Sequence, residues 1–162
     1  MEITELITPE RVACGEAAGS KKKALEIISA LIARADSRLV ETEIFDALVA
    51  RERLGSTGLG HGVALPHGRL ASLDRTLGAF VRLDTGVDFD AADRQPVDLL
   101  FAMVVPEAST EEHLQILAKL ARMFGDPVFR QRLREAPGTA EAYQLLTRGA
   151  AERVLPAAAP HG

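Results

Sequence analysis

The stretch VDLLFAMVVP, residues 97–106, restricts the possible folds more than any other part of the chain. It is almost continuously apolar, whereas a strand with one face in water alternates apolar and polar residues. The run is also far shorter than the roughly 20 residues that a helix needs to cross a bilayer. It therefore predicts a strand buried on both faces, and we expect no membrane insertion.

Two helices are predicted before the strands, because apolar residues recur there with helical spacing. Ser20 can cap the first of them. Its inward positions are Ala24, Ile27, Ile28, Leu31 and Ile32. The second fits residues 41–53, and Gly55 follows as a stop. Its inward positions are Ile44, Phe45, Leu48 and Val49.

Three more helices are predicted after residue 106. Ser109 and Glu112 have capping-box spacing ahead of a long amphipathic segment that ends near Phe124. Asp126 and Pro127 can open the next helix, and Thr139 can cap the last, AEAYQLLTRGA.

Two other strands are predicted between the helical segments. One is short, contains Val63 and Leu65, and ends at Pro66, which lacks a backbone donor. The other is LGAFVRL, residues 77–83, and the turn-forming residues 84–86 follow it. Helices before, between and after strands predict an α/β sandwich with helices over the sheet.

Composition indicates one domain that does not bind nucleic acid directly. At 162 residues the chain is long enough for one core, and we assign residues 1–155 to the domain and 156–162 to a disordered tail. The net charge of −4, with acids and bases interspersed, offers no basic face for nucleic acid. One cysteine, Cys14, and an N-terminus without signal-peptide features predict a cytoplasmic protein.

The most unusual stretch is GLGHGVALPHGRL, residues 58–70, with four glycines and two histidines. It lacks the Gly-Lys-Ser/Thr of a P-loop, and a strand rather than a helix follows its glycines, so nucleotide binding is not expected. A zinc site formed by His61, His67 and His113 is a second hypothesis, but further ligands with suitable spacing are lacking.

We favour His67 as a nucleophile for phosphoryl transfer. A histidine with an ordinary pKa of about 6.5 is mostly neutral at neutral pH and has an unprotonated nitrogen. The transferring group also needs positive charge around it, and the guanidinium of Arg51 matches phosphate oxygens, with Arg53 and Arg69 as rivals. His113, in the first turn of a helix, can donate one hydrogen bond to phosphate.

A structural interpretation of the same residues stays open on spacing alone. An inward histidine at a helix start can be a hydrogen-bonded core group, and Arg51 can be a solvated cation near a helix C-terminus. Glycines before a strand can serve only a turn.

Three segments together resemble one family: RERLGSTGLGHGVALPHGRL, QPVDLLFAMVVP and EEHLQILAKLARMF. They resemble the enzyme IIA domain of the mannitol and fructose class of the phosphotransferase system, and most of all its nitrogen-related, stand-alone form. The resemblance covers roughly residues 3–150 and centres on the pattern Gly-x-Ala-x-Pro-His.

The resemblance implies a phosphocarrier with a mixed sheet flanked by helices in an α/β/α sandwich. It implies that His67 accepts a phosphoryl group from a small phosphorylated histidine carrier protein of the HPr type, supported by Arg51 and His113, without a metal or cofactor. The carrier is expected to dock at a shallow, apolar-rimmed depression. His61 departs from the family pattern, because close relatives have Asn there.

The resemblance leaves the role downstream of phosphorylation open. In stand-alone nitrogen-type members the phosphorylation state regulates partners such as potassium transporters and sensor kinases. One alternative is a sugar-specific component that donates phosphate to a separate permease. Another is an interaction regulator whose His67 is no longer phosphorylated.

Overall fold

The apolar run at 97–106 is the strand on which the rest of the sheet is built. The computed structural model describes residues 1–109 and 111–154, with side chains through residue 148. In this part of the chain the strands are β1 (Val12–Glu16), β2 (Gly58–Gly60), β3 (Val63–Ala64), β4 (His67–Leu70), β5 (Leu77–Val87) and β6 (Val97–Pro106). They form one mixed sheet in the order β1-β5-β6-β3-β2, with β4 also paired to β6.

Helices cover both faces of this sheet, so the predicted α/β sandwich is confirmed. Two of them, with parts of the sheet, form one apolar cluster, and the other three form a second. The first pair is α1 (Lys21–Ala33) and α2 (Glu41–Glu52). The other three are α3 (Glu111–Phe124), α4 (Pro127–Glu135) and α5 (Thr139–Val154).

Strand β6 is buried on both faces, as its composition predicts. Alternate side chains point to opposite faces of a strand. Leu99, Phe101 and Met103 pack with α3, α4 and α5, while Leu100 and Ala102 pack with α1 and α2. Each of these five residues is at most 1% exposed.

The predicted helix starts are correct in two cases and wrong in one. Ser20 accepts a hydrogen bond from the Lys23 amide at 3.1 Å, and Asp126 accepts one from the Val128 amide at 2.9 Å. Thr139 is not a cap, because it is the first residue of α5 and the carbonyl of Gly138 before it accepts the Ala142 amide at 3.1 Å. The Thr139 hydroxyl donates instead to the Val12 carbonyl at 3.2 Å. The capping box of Ser109 and Glu112 depends on residue 110, which lies outside the described residues.

The strand predicted to stop before residues 84–86 is four residues longer. β5 runs to Val87, which pairs with Val97 of β6, and a register shift absorbs the intervening residues. Gly86 packs so closely on Pro96 that a Cβ would lie 2.9 Å from the proline Cβ. Pairing with β6 therefore overrides the local turn preference of these residues.

None of the helices in the described residues is long and apolar enough to cross a membrane. The tail predicted from residue 156 lies outside the described residues, and the proposed domain boundary stays a prediction.

Candidate functional site

His67 lies at the start of β4 because the chain resumes its pairing with β6 after a proline. β3 and β4 both run parallel to β6 and keep the same register, with Ala64 opposite Leu100 and His67 opposite Met103. Pro66 cannot donate to the ladder, although its carbonyl accepts the Met103 amide at 3.0 Å. The strand predicted to end at Pro66 is therefore two short strands that flank it.

The ring of His67 has a defined orientation and tautomer. Its Nδ1 lies 2.8 Å from the carbonyl oxygen of Leu65. A carbonyl only accepts hydrogen bonds, so Nδ1 carries the proton and Nε2 of the neutral ring has a free lone pair. Burial lowers the pKa of His67, and the charges of Arg51 and Arg69 lower it further, against the opposing effects of the Leu65 hydrogen bond and Glu52.

His113, the third residue of α3, lies beside His67. The two ring centroids are 5.1 Å apart and the ring planes meet at 74°. His113 is 7% exposed, and neither of its buried ring nitrogens has a hydrogen-bond partner among the described residues. Burial, followed by the charges of His67, Arg69 and Arg51, lowers the pKa of His113 to about 4. The ring is therefore neutral at physiological pH.

Two arginines supply positive charge to the histidine pair. Arg51, in the last turn of α2, donates from Nη1 to the Gly55 carbonyl at 2.8 Å. Arg69, two residues after His67 on β4, donates from Nη1 to the Glu107 carbonyl at 2.7 Å. Both charges lower the pKa of both histidines. Arg53 caps the exposed end of α2 and lines a separate cleft there with Lys21.

A buried acidic group next to Arg51 was not identified from the sequence. The side chain of Glu52 is 5% exposed and forms an ion pair with Lys21 at 2.9 Å. It also accepts hydrogen bonds from the Thr57 amide, at 3.2 Å, and from the Thr57 hydroxyl. A glutamate that ends an amphipathic helix resembles a solvated surface residue in sequence, so no local signal marks it.

His61 lies at the opposite end of this part of the sheet. It adopts a left-handed backbone, φ 58°, in the β2–β3 turn, where its amide donates to Asp93 at 2.8 Å. Gly62, next to His61, pairs with the start of β6, whereas His67 pairs with Met103 further along the same strand. The five residues from Gly62 to His67 span roughly 16 Å at about 3.3 Å per residue. The zinc hypothesis that joins His61 to His67 and His113 is therefore wrong. The described residues contain no group of three or more candidate metal ligands.

Comparisons with known proteins place the chain in a family. The family described as "Phosphoenolpyruvate-dependent sugar phosphotransferase system, EIIA 2" matches residues 5–149. A nitrogen regulatory protein of Pseudomonas aeruginosa is 46% identical over 146 residues, which cover 90% of this chain and 95% of the relative.

Solved structures extend the similarity to the fold. The crystal structure of the nitrogen regulatory protein IIA-Ntr from Neisseria meningitidis aligns with a TM-score of 0.85 and 42% identity over 90% of this chain and 99% of that one. IIA mannitol from Escherichia coli aligns with a TM-score of 0.71 and 26% identity, covering 86% of this chain and 98% of the other. The sequence resemblance is thus confirmed, and the chain belongs to the EIIA 2 family of the phosphoenolpyruvate-dependent sugar phosphotransferase system.

Proposed function

We propose that this protein is a phosphocarrier that accepts a phosphoryl group on Nε2 of His67. The hydrogen bond from Nδ1 to the Leu65 carbonyl carries the proposal, because it leaves the Nε2 lone pair free. That lone pair attacks the phosphorus of a phosphohistidine on a donor carrier protein. As the new N–P bond forms, the old one breaks and its electron pair returns to the donor imidazole.

The groups around His67 suit a transferred phosphoryl group. Arg51 and Arg69 supply positive charge for its oxygens, and phosphoryl transfer depends mainly on such positioning and electrostatic stabilisation. His113 is neutral and has ring nitrogens without protein partners, so it can donate one hydrogen bond to an oxygen. The Leu65 carbonyl favours the positive charge that develops on the imidazole.

The test is phosphorylation of the purified protein by a phosphorylated histidine carrier protein, followed by intact mass measurement. We expect one phosphate that is lost in acid and an NMR signature of substitution at Nε2. His67→Ala abolishes the uptake, whereas His61→Ala, which changes the exposed histidine about 16 Å away, retains it. Full labelling of the His67→Ala variant refutes the proposal.

The proposal includes a regulatory role in the cytoplasm. The names of the nitrogen regulatory relatives favour a regulatory role over sugar uptake. The partners we propose are those that the family resemblance implies, such as potassium transporters or sensor kinases. Pull-down by the phosphorylated and unphosphorylated forms distinguishes the two roles. A partner that binds only one form supports regulation, and phosphate passed on to a sugar permease component contradicts it.

A further inference from the structure

A chain of contacts leads from α1 to the nucleophile through Glu52. Lys21, the first residue of α1, pairs with the Glu52 carboxylate at 2.9 Å. The carboxylate accepts from the amide and the hydroxyl of Thr57, and the Thr57 carbonyl accepts the Leu65 amide at 3.1 Å. The Leu65 carbonyl then accepts Nδ1 of His67 at 2.8 Å.

The same carboxylate holds the segment against which Arg51 rests. Residues 53–57 leave the end of α2 and return to Glu52 through Thr57. Within this segment, the Gly55 carbonyl accepts the guanidinium of Arg51 at 2.8 Å. One carboxylate thus anchors a loop that contacts both a cation and, through Leu65, the nucleophile of the proposed site.

Glu52 occupies a place where a carboxylate is costly. It is buried, and it lies in the last turn of a helix, where the macrodipole disfavours negative charge. Lys21 and Thr57 offset that cost, but an apolar residue at this place would not need them. An apolar residue could not accept the two hydrogen bonds that the Thr57 amide and hydroxyl donate to Glu52.

We infer that Glu52 is a positioning residue for phosphoryl transfer: it fixes Thr57, and through Thr57 it fixes the Leu65 carbonyl that orients His67 and the Gly55 carbonyl that orients Arg51. Glu52 does not touch the transferred group. This inference rests on the proposed function, because the reaction it serves is phosphorylation of His67.

The test combines transfer rates with the tautomer of His67 in the unphosphorylated protein. In the wild type, ¹⁵N NMR is expected to show a single tautomer with the proton on Nδ1. Glu52→Ala is expected to mix the tautomers and to slow phosphate uptake by roughly ten- to a hundredfold, the loss that a misplacement of about 1 Å can cause. Glu43→Ala, which removes an exposed glutamate from the same helix, is the matched control and keeps both properties.

A second pair of variants guards against a general loss of folding. Thr57→Val removes only the hydroxyl donor and is expected to change the tautomer and rate in the same direction as Glu52→Ala. Thr57→Ser restores the hydroxyl and should recover most of the rate. Thermal melts identify any variant that is unfolded.

The outcomes separate this inference from the proposed function. If wild-type His67 is phosphorylated and both Glu52→Ala and Thr57→Val keep the tautomer and the rate, Glu52 is only structural and the inference is wrong. If the wild type takes up no phosphate, the proposed function fails, and the inference fails with it even if the tautomer of His67 still changes.

Discussion

The rings of His67 and His113 meet edge to face, with centroids 5.1 Å apart. The first residue lies on strand β4 and the second in helix α3, so they are far apart in the chain. One ring has a hydrogen-bonded Nδ1, and the other has two buried nitrogens without a partner among the described residues. Unpaired buried polar atoms are uncommon in folded proteins, and a binding or catalytic role is one of the explanations for them. The pair thus combines an oriented imidazole, the proposed nucleophile, with a second ring whose nitrogens have no protein partner among the described residues.

His113→Ala is expected to slow phosphate uptake by His67 by roughly ten- to a hundredfold, because losing a hydrogen bond to a partly buried phosphate costs on the order of 1–3 kcal/mol. Rapid-quench transfer kinetics measure the change in both directions, and circular dichroism checks the fold. Equal rates in a folded variant would return His113 to a structural role.

The stability of the protein is expected to fall between about pH 7 and pH 5. The folded pKa of His113, about 4, lies below the unfolded value of roughly 6.5, so the unfolded state binds the proton first. The stabilising effect of the neutral ring is therefore complete above the unfolded pKa and is lost as the pH falls towards 4. The free energy of unfolding should drop by about 2 kcal/mol at roughly pH 5, and His67, whose pKa is also lowered, adds to the drop.

Urea unfolding at the two pH values measures this drop, with His113→Gln as the matched variant because glutamine does not titrate. The variant should lose most of the pH dependence. An equal drop in wild type and variant would show that other groups cause it.

Arg51 is expected to act by geometry as well as by charge. Arg51→Lys keeps the charge but loses the planar fork, and Arg51→Ala loses both, so the transfer rates should fall in that order. A charge-assisted hydrogen bond is worth roughly 1.5–3 kcal/mol, which predicts a loss of about ten- to a hundredfold, larger for alanine. Stopped-flow or quench kinetics on both variants measure it.

Arg53→Ala is the control, because Arg53 lies in the same segment but caps the exposed end of the helix. If lysine matches arginine at position 51, bidentate binding is wrong. If alanine also matches it, Arg69 becomes the main cation of the site.

Much of the fold could be predicted because its strongest signals are local. The apolar run of β6 and the Ser20 and Asp126 caps each depend on neighbouring residues. The extension of β5 through Asp84–Gly86 could not be predicted, because it depends on pairing with β6 and on contact with Pro96.

The candidate site divides in the same way. His67 follows a recognisable glycine and proline pattern. Arg51 and His113 are candidates from charge and helix position, and the resemblance to a family favours them over the structural interpretation. Glu52 was missed because Lys21, its ion-pair partner, is 31 positions away in the chain and no sequence pattern links them.

His61→Asn is expected to leave the transfer rate unchanged and to stabilise the protein slightly. His61 has a φ of 58°, and asparagine accepts the left-handed region more readily than most residues. The turn lies about 16 Å from His67, so the departure from the family pattern should not affect the chemistry. Urea unfolding measures the first effect and transfer kinetics the second, and a changed rate would show that this turn influences the site.

Gly68→Ala is expected to impair both stability and transfer, because Gly68 sets the distance between β4 and α2. A Cβ at this position would lie 2.8 Å from the backbone carbon and oxygen of Ala47, so the strand and helix would have to move apart. Ala47 precedes Arg51 by about one helical turn and Gly68 follows His67, so the movement separates Arg51 from His67. Overpacking of this kind typically costs about 1–3 kcal/mol.

Gly19→Ala, where an added Cβ meets nothing within 4 Å, is the matched control for urea unfolding and for transfer kinetics. A Gly68→Ala variant that transfers phosphate at the wild-type rate would show that the site tolerates a wider spacing between Arg51 and His67.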